Sequence, residues 1–159
     1  PMETDEDEGE GEGEGEGAPS VSAEESGKMA RKRAEAHKEA GNSEYKRGRY
    51  DAAAHEYAEA MALDPDNATY CCNRAAALLM LEQAEPALND AQRALTLDPK
   101  LIKAHSRAVK SLVQLGKLSD ARRQLERAFE QVEGASTGLQ SEFGLLVECE
   151  GLLRNGKNA

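Results

Sequence analysis

The sequence predicts an all-α fold made of repeated helix pairs. Beyond its first 27 residues the chain is rich in Ala, Leu, Glu, Lys and Arg and poor in β-branched and aromatic residues, which favours helix throughout. Parts of the chain also recur at a fixed interval of 34 residues. A fixed period of this length in a helix-favouring chain predicts repeated helical units that stack on one another.

The repeat is visible in both turn residues and small residues. Leu63-Asp64-Pro65 and Leu97-Asp98-Pro99 stand 34 residues apart. Each proline lacks an N–H and restrains the residue before it, so it ends one helix and opens a turn. Small residues recur with the same period at Ala53, Ala87 and Ala121 and at Ala60, Ala94 and Ala128.

This pattern resembles the tetratricopeptide repeat, in which small residues let the two helices of a unit cross closely. In the first unit the family's glycine, alanine, aromatic and proline slots hold Gly41, Ala53, Tyr57 and Pro65. The later units depart from the pattern, with Ala75 and Val109 for the glycine and Ala91 and Leu125 for the aromatic. The resemblance implies an all-α right-handed solenoid of three tetratricopeptide repeats with a C-terminal capping helix.

The predicted helices cover about 29–47, 51–63, 67–80, 84–97, 101–115 and 118–133. They form a repeat domain at 28–155, with repeats at about 34–67, 68–101 and 102–135 and a capping helix at about 137–154. Glu133 replaces the third proline, so we expect the sixth helix to run on. The capping helix is predicted from an apolar stripe formed by Leu139, Phe143, Leu146, Cys149 and Leu153. It would cover the exposed face of the last repeat.

The negative charge of the chain is concentrated at its start. Residues 1–27 hold eleven Asp and Glu and no Lys or Arg, whereas the rest holds 19 acidic against 20 basic residues. We expect this acidic tail to be disordered, because it offers nothing to bury and repels itself. The nearly neutral remainder has no overall field that would attract nucleic acid or an anionic membrane.

Five residues on the first helices of the repeats carry a more specific resemblance. "KEAGN" (38–42), "CNRAA" (72–76) and "KAHSR" (103–107) are similar to the dicarboxylate clamp of chaperone-binding tetratricopeptide domains. The clamp's Lys, Asn, Asn, Lys and Arg slots correspond to Lys38, Asn42, Asn73, Lys103 and Arg107. The resemblance implies a co-chaperone module that grips the C-terminal Glu-Glu-Val-Asp tail of cytosolic heat-shock chaperones of the seventy- and ninety-kilodalton classes.

The chemistry of these residue types suits a chain-terminal aspartate. Its two carboxylates lie a few ångströms apart, and cations supply charge while the asparagine amides supply oriented donors. By the family's pattern, upstream peptide residues would contact Tyr45, Ala76, Leu79, Lys110 and Gln114. The stretch "NRAAALLMLEQAEPALNDAQRALTLDP" most resembles the first repeats of DnaJ-type tetratricopeptide co-chaperones, although no His-Pro-Asp motif is present.

Two alternatives remain open from the sequence. The chain could be a scaffold whose convex or inter-helix surface binds an internal peptide, with the groove charges incidental, or it could be a regulatory domain of a larger enzyme. The acidic tail could serve solubility, or it could enter the basic groove and compete with the ligand.

Other functional classes lack a pattern in the sequence. His37, His55 and His105 fall on three different predicted helices without metal-binding spacing, so we expect no metal, cofactor or catalytic site. The longest apolar run, "AAALLML" (75–81), is far shorter than the roughly 20 residues of a membrane helix. Cys71, Cys72 and Cys149 form no disulfide framework, which indicates reduced thiols in the cytosol or nucleus. We expect a monomer that binds neither nucleic acid nor membrane.

Overall fold

The computed structural model describes residues 21–156 and shows an all-helical chain over that range. Six helices form three antiparallel pairs, with α1 and α2 in the first, α3 and α4 in the second, and α5 and α6 in the third. A short helix α7 and a longer α8 follow. Their bounds are α1 Ala23–Lys46, α2 Tyr50–Leu63, α3 Ala68–Met80, α4 Ala84–Leu97, α5 Ile102–Gln114, α6 Leu118–Gln131, α7 Ala135–Gly138 and α8 Gln140–Gly156.

Helix α1 begins six residues before its predicted start at 29. Ser22 caps it by accepting a hydrogen bond from the Glu25 backbone N–H, at 3.2 Å between nitrogen and oxygen. Glu24 and Glu25 lie in the first turn, where acidic side chains favour the positive end of the helix dipole. Residues 23–27, which include Glu24 and Glu25 and were assigned to the disordered tail from the sequence, are therefore helical. Residues 1–20 of that predicted tail lie outside the described residues.

The small residues of the repeat lie where the helices of each pair cross. The six alanines at the two periodic slots are all fully buried. They belong to small buried clusters that follow one another along the array rather than to one large core. The periodic alanines thus act as close-approach points, as the sequence predicted.

The residues that replace the family's glycine and aromatic lie together in buried clusters. Gly41 faces the ring of Tyr57, since a Cβ atom on the glycine would lie only 2.6 Å from the Tyr57 Cε1 atom. In the second pair the corresponding residues are both alanine, and both lie in one buried cluster. In the third pair they are Val109 and Leu125, which again share a cluster. The three crossings therefore hold pairs of different size, which are Gly with Tyr, Ala with Ala, and Val with Leu.

The C-terminal part differs from the predicted arrangement. Helix α6 ends at Gln131 rather than running on, because the backbone becomes extended at Val132 and left-handed at Gly134 (φ 80°). Within the predicted apolar stripe, Leu139 and Leu146 are buried, but Phe143 and Leu153 are 45% and 58% exposed.

The rotation of α8 about its axis explains this exposure. Glu142 of α8 contacts α5, and Glu150 accepts hydrogen bonds from Arg122 of α6. These two contacts turn Phe143 outward and leave Cys149 half-buried rather than in the core. None of the helices in residues 21–156 is both long and apolar enough to cross a membrane.

The first prediction concerns the contact between Gly41 and Tyr57. Gly41→Ala should lower the free energy of unfolding by about 1–3 kcal/mol, because the new methyl group would overlap the buried ring. Gly144→Ala is the matched control, since Gly144 lies in α8 with no atom within 4 Å of its added Cβ. That change should raise stability by up to about 1 kcal/mol through helix propensity. Urea denaturation measures the free energy of unfolding of both variants. Equal effects of the two substitutions would contradict the close crossing of α1 and α2.

The second prediction concerns the turn inside each helix pair. Gly48, Glu82 and Gly116 occupy equivalent turn positions, and all have positive φ, at 75°, 59° and 72°. A side chain is strained in this region of backbone conformation, so Glu82→Gly should stabilise the protein by about 1 kcal/mol. Gly116→Ala should destabilise it by a similar amount in the same thermal melt. A loss of stability in the Glu82 variant would contradict this account.

Candidate functional site

The first helices of the three pairs are joined by specific contacts. The Tyr70 hydroxyl of α3 donates a hydrogen bond to Glu35 Oε2 of α1 at 3.1 Å. On α5, Gln114 Nε2 donates to the Leu79 carbonyl oxygen of α3 at 3.3 Å. Helix α3 therefore has α1 and α5 as its neighbours. We call the surface that carries the five predicted clamp residues of these three helices the groove face.

Three of the five predicted clamp residues, Asn73, Lys103 and Arg107, lie close together around Cys72. Asn73 of α3 and Lys103 of α5 line one surface depression of about 370 Å³, together with Thr69 and Cys72. Burial raises the pKa of the Cys72 thiol, while the nearby positive charges of Arg107 and Lys103 act to lower it. Both cations thus lie beside the thiol, next to the Asn73 amide.

The two clamp cations of α5, Lys103 and Arg107, form no ion pair with an acid in the described part of the chain. None of the ion pairs formed within residues 21–156 includes Lys103 or Arg107. The Arg107 Nε atom is buried and makes no hydrogen bond to any described residue. The positive charge at this end of the groove face is therefore not neutralised by the described residues.

On α1, Asn42 is oriented by the aromatic residue of its own repeat. The Tyr57 hydroxyl donates a hydrogen bond to Asn42 Oδ1 at 2.7 Å. Burial raises the pKa of Tyr57, so the hydroxyl keeps the proton that it donates. Because the amide oxygen is occupied, the amide NH₂ group is left to donate to a ligand.

Lys38 differs from the other cations because it is already paired. Its ammonium contacts the carboxylate of Glu35 and lies 3.6 Å from Glu39 Oε1. Glu35 raises the pKa of Lys38, and in return Lys38 and the Tyr70 hydroxyl lower the pKa of Glu35. A ligand carboxylate would have to share the three donors of Lys38 with these acids.

The predicted secondary contacts fall into different environments. Tyr45 is half-buried and packs edge-on against Tyr50, with 5.1 Å between ring centroids, and Ala76 is also half-buried. Gln114 is exposed. The structure does not support Leu79 as a peptide contact, because its side chain is only 8% exposed and packs within a buried cluster.

Lys110, the fifth predicted secondary contact, is paired with an acid that the sequence did not reveal. Its Nζ atom lies 3.4 Å from Glu142 Oε1 of α8. Ser106 Oγ donates to the same oxygen at 2.6 Å. Glu142 stands three residues after Leu139 and four before Leu146, both buried, and this helical spacing was the available signal for its burial.

Comparison with known proteins finds relatives with the same repeat. A family model described as TPR repeat matches residues 41–82. The chain is 38% identical over 114 residues to DnaJ homolog subfamily C member 7 of Mus musculus, a match that covers 72% of this chain and 23% of that protein. The chain therefore spans about a quarter of the length of this curated relative.

Two solved structures have a similar fold and high coverage. One is the first TPR domain of Spaghetti (RPAP3) bound to the HSP90 peptide SRMEEVD, with a TM-score of 0.63 and 32% identity over 74% of this chain and 98% of that one. The other is the second TPR domain of human RPAP3 in complex with the HSP70 peptide SGPTIEEVD, with a TM-score of 0.60 and 29% identity over 73% and 97%. These matches confirm the resemblance to co-chaperone domains, and the chain belongs to the tetratricopeptide repeat family.

Proposed function

We propose that this chain is a non-catalytic module that binds the free C-terminal end of a partner protein through a dicarboxylate clamp. Lys38, Asn42, Asn73, Lys103 and Arg107 form the clamp. The ligand is the Glu-Glu-Val-Asp tail of heat-shock chaperones of the HSP70 and HSP90 classes. Tyr45, Ala76, Lys110 and Gln114 surround the residues that precede this tail.

The observation that carries this proposal is the unneutralised pair Lys103 and Arg107 beside the Asn73 amide. Two positive charges four residues apart on a helix are mildly destabilising unless an anion lies between or near them. Within residues 21–156 neither cation forms an ion pair with an acid, since Glu142 accepts from Ser106 and pairs with Lys110 instead. A directly paired anion is therefore missing there. A bound carboxylate would supply it, and the relatives solved with SRMEEVD and SGPTIEEVD bind peptides that end in this way.

The expected affinity follows from the number of charged contacts. Each hydrogen bond to a charged group contributes about 1.5–3 kcal/mol before ordering costs. Four or five such bonds, less those costs, leave about −8 kcal/mol, which corresponds to micromolar binding. An internal side-chain carboxylate presents only one of the two charges of a terminal aspartate, so the clamp should select a free chain end.

The third prediction tests this selection. Isothermal titration with Ser-Arg-Met-Glu-Glu-Val-Asp should show micromolar binding, and amidation of its C-terminus should weaken binding at least tenfold, or about 1.4 kcal/mol. Lys103→Ala or Arg107→Ala should cause a similar loss. Arg123→Ala is the control, because it removes the same charge from an exposed position on α6.

Equal affinities for the free and amidated peptides would contradict the clamp. They would favour the alternative of a scaffold that binds an internal peptide elsewhere. A depression of about 400 Å³ lined by His105, Gln124 and Arg127, outside the clamp residues, is the place to examine in that case. The same titration with Ser-Gly-Pro-Thr-Ile-Glu-Glu-Val-Asp would establish which chaperone class is preferred.

The fourth prediction tests the orientation of Asn42. Tyr57→Phe removes the hydroxyl that holds the Asn42 oxygen but keeps the ring that packs on Gly41. Peptide affinity should fall about three- to tenfold, which is the loss expected for one hydrogen bond of about 1 kcal/mol. Tyr50→Phe should leave affinity unchanged. If both variants bind like the wild type, Tyr57 does not orient the amide.

A further inference from the structure

Lys110 of α5 forms an ion pair with Glu142 of α8. Lys110 lies one turn beyond Arg107 and two turns beyond Lys103 on the same face of α5. It therefore continues the line of cations along the groove face, away from the clamp. Unlike Lys103 and Arg107, it has a carboxylate beside it.

Glu142 is held firmly in this place. The residue is 4% exposed, and its Oε1 atom receives the Ser106 hydroxyl at 2.6 Å and faces Lys110 Nζ at 3.4 Å. Burial raises the pKa of the Glu142 carboxyl, but bonds from Ser106, from its own backbone N–H and from Lys110 outweigh burial and lower it overall. Glu142 is therefore a negative charge at neutral pH.

The two partners differ in their access to a ligand. The Lys110 side chain is 40% exposed, whereas that of Glu142 is 6% exposed. A ligand on the groove face would contact the Lys110 ammonium directly, whereas the Glu142 carboxylate would lie beneath that ammonium. An acidic ligand residue at this point would be attracted by Lys110 and repelled by Glu142 over only a slightly longer distance.

We propose that Glu142 is a specificity-determining residue that reduces the preference of the groove for acidic residues upstream of the terminal Glu-Glu-Val-Asp. This proposal rests on the proposed function. It assigns a recognition role to α8, which otherwise covers the end of the repeat array. Neutral and basic residues are accepted at the position facing Lys110, because the Lys110–Glu142 pair carries little net charge.

The experiment compares peptides that differ at one residue upstream of Glu-Glu-Val-Asp. The parent is Ser-Arg-Met-Glu-Glu-Val-Asp, and in three further peptides the Ser, Arg or Met is replaced in turn by Glu. In Glu142→Gln, at least one Glu-substituted peptide should bind about fivefold or more tightly relative to the parent than it does in the wild type. Glutamine keeps the shape and the acceptor for Ser106, so the fold should be retained.

Three variants serve as controls for a merely structural effect. The double variant Glu142→Gln/Lys110→Gln should return the ratio of the affinities for the Glu-substituted and parent peptides to the wild-type value. Lys110→Gln alone should weaken the same peptide at least threefold relative to the parent, since Glu142 then acts without its partner. Glu150→Gln breaks the ion pair between α8 and Arg122 and should leave every ratio unchanged.

The outcomes separate the two proposals. If wild-type protein binds the parent peptide but no ratio shifts in Glu142→Gln or Lys110→Gln, Glu142 has no part in specificity. Equal weakening of the binding of all peptides in both variants would likewise mean that Glu142 has only a structural role. If wild-type protein does not distinguish the parent from its amide, the clamp itself fails and this inference fails with it.

Discussion

The close crossing of the two helices in each pair is the constraint on which the rest of the structure depends. Because the first pair has no side chain at Gly41, the ring of Tyr57 can lie against the backbone of α1. From that position its hydroxyl reaches Asn42, one residue further along α1. A packing requirement of the repeat and the orientation of a candidate ligand-binding amide are therefore met by the same side chain. Ala91 and Leu125, which replace this tyrosine in the later pairs, have no hydroxyl to do so.

The candidate clamp has two unlike ends. On α5, Lys103 and Arg107 form no ion pair with an acid among the described residues, and the Arg107 Nε atom is buried without a hydrogen bond there. On α1 the cation is shared with Glu35 and Glu39, and Glu35 is fixed in turn by Tyr70. Restricting a flexible lysine before binding lowers the entropy that a ligand must remove. The same acids weaken the attraction that the lysine exerts, so the two effects oppose each other.

Most of the fold could be predicted from the 34-residue period, because the small residues recur wherever two helices pack closely. The bounds of α2 to α5 differ from the prediction by one residue at each end or less. The start of α1 was missed because acidic residues are typical both of a disordered tail and of a first helical turn. The strained turn at Glu82 was missed because nothing in its residue type requires a positive φ.

The candidate site was predictable in its residue types but not in its internal pairing. The slots of Asn73, Lys103 and Arg107 follow from the repeat register alone, and the structure brings them together. The pairing of Lys110 with Glu142 depends on how α8 rotates about its axis, which an apolar stripe determines only loosely. Leu79 was misplaced for a related reason, since neighbouring positions on a helix differ by 100° and a face has no sharp edge.

The division of the interior into successive small clusters has a consequence for how the molecule responds to a partner. Each hairpin packs mainly on its neighbours, so the stability of the array comes mainly from the hairpins themselves and from the interfaces between adjacent hairpins. A ligand held at once by α1, α3 and α5 would connect the first and third hairpins, which have no extensive interface with each other within residues 21–156. Occupancy would then make the hairpins melt as one unit, and the domain would gain cooperativity as well as stability from its partner.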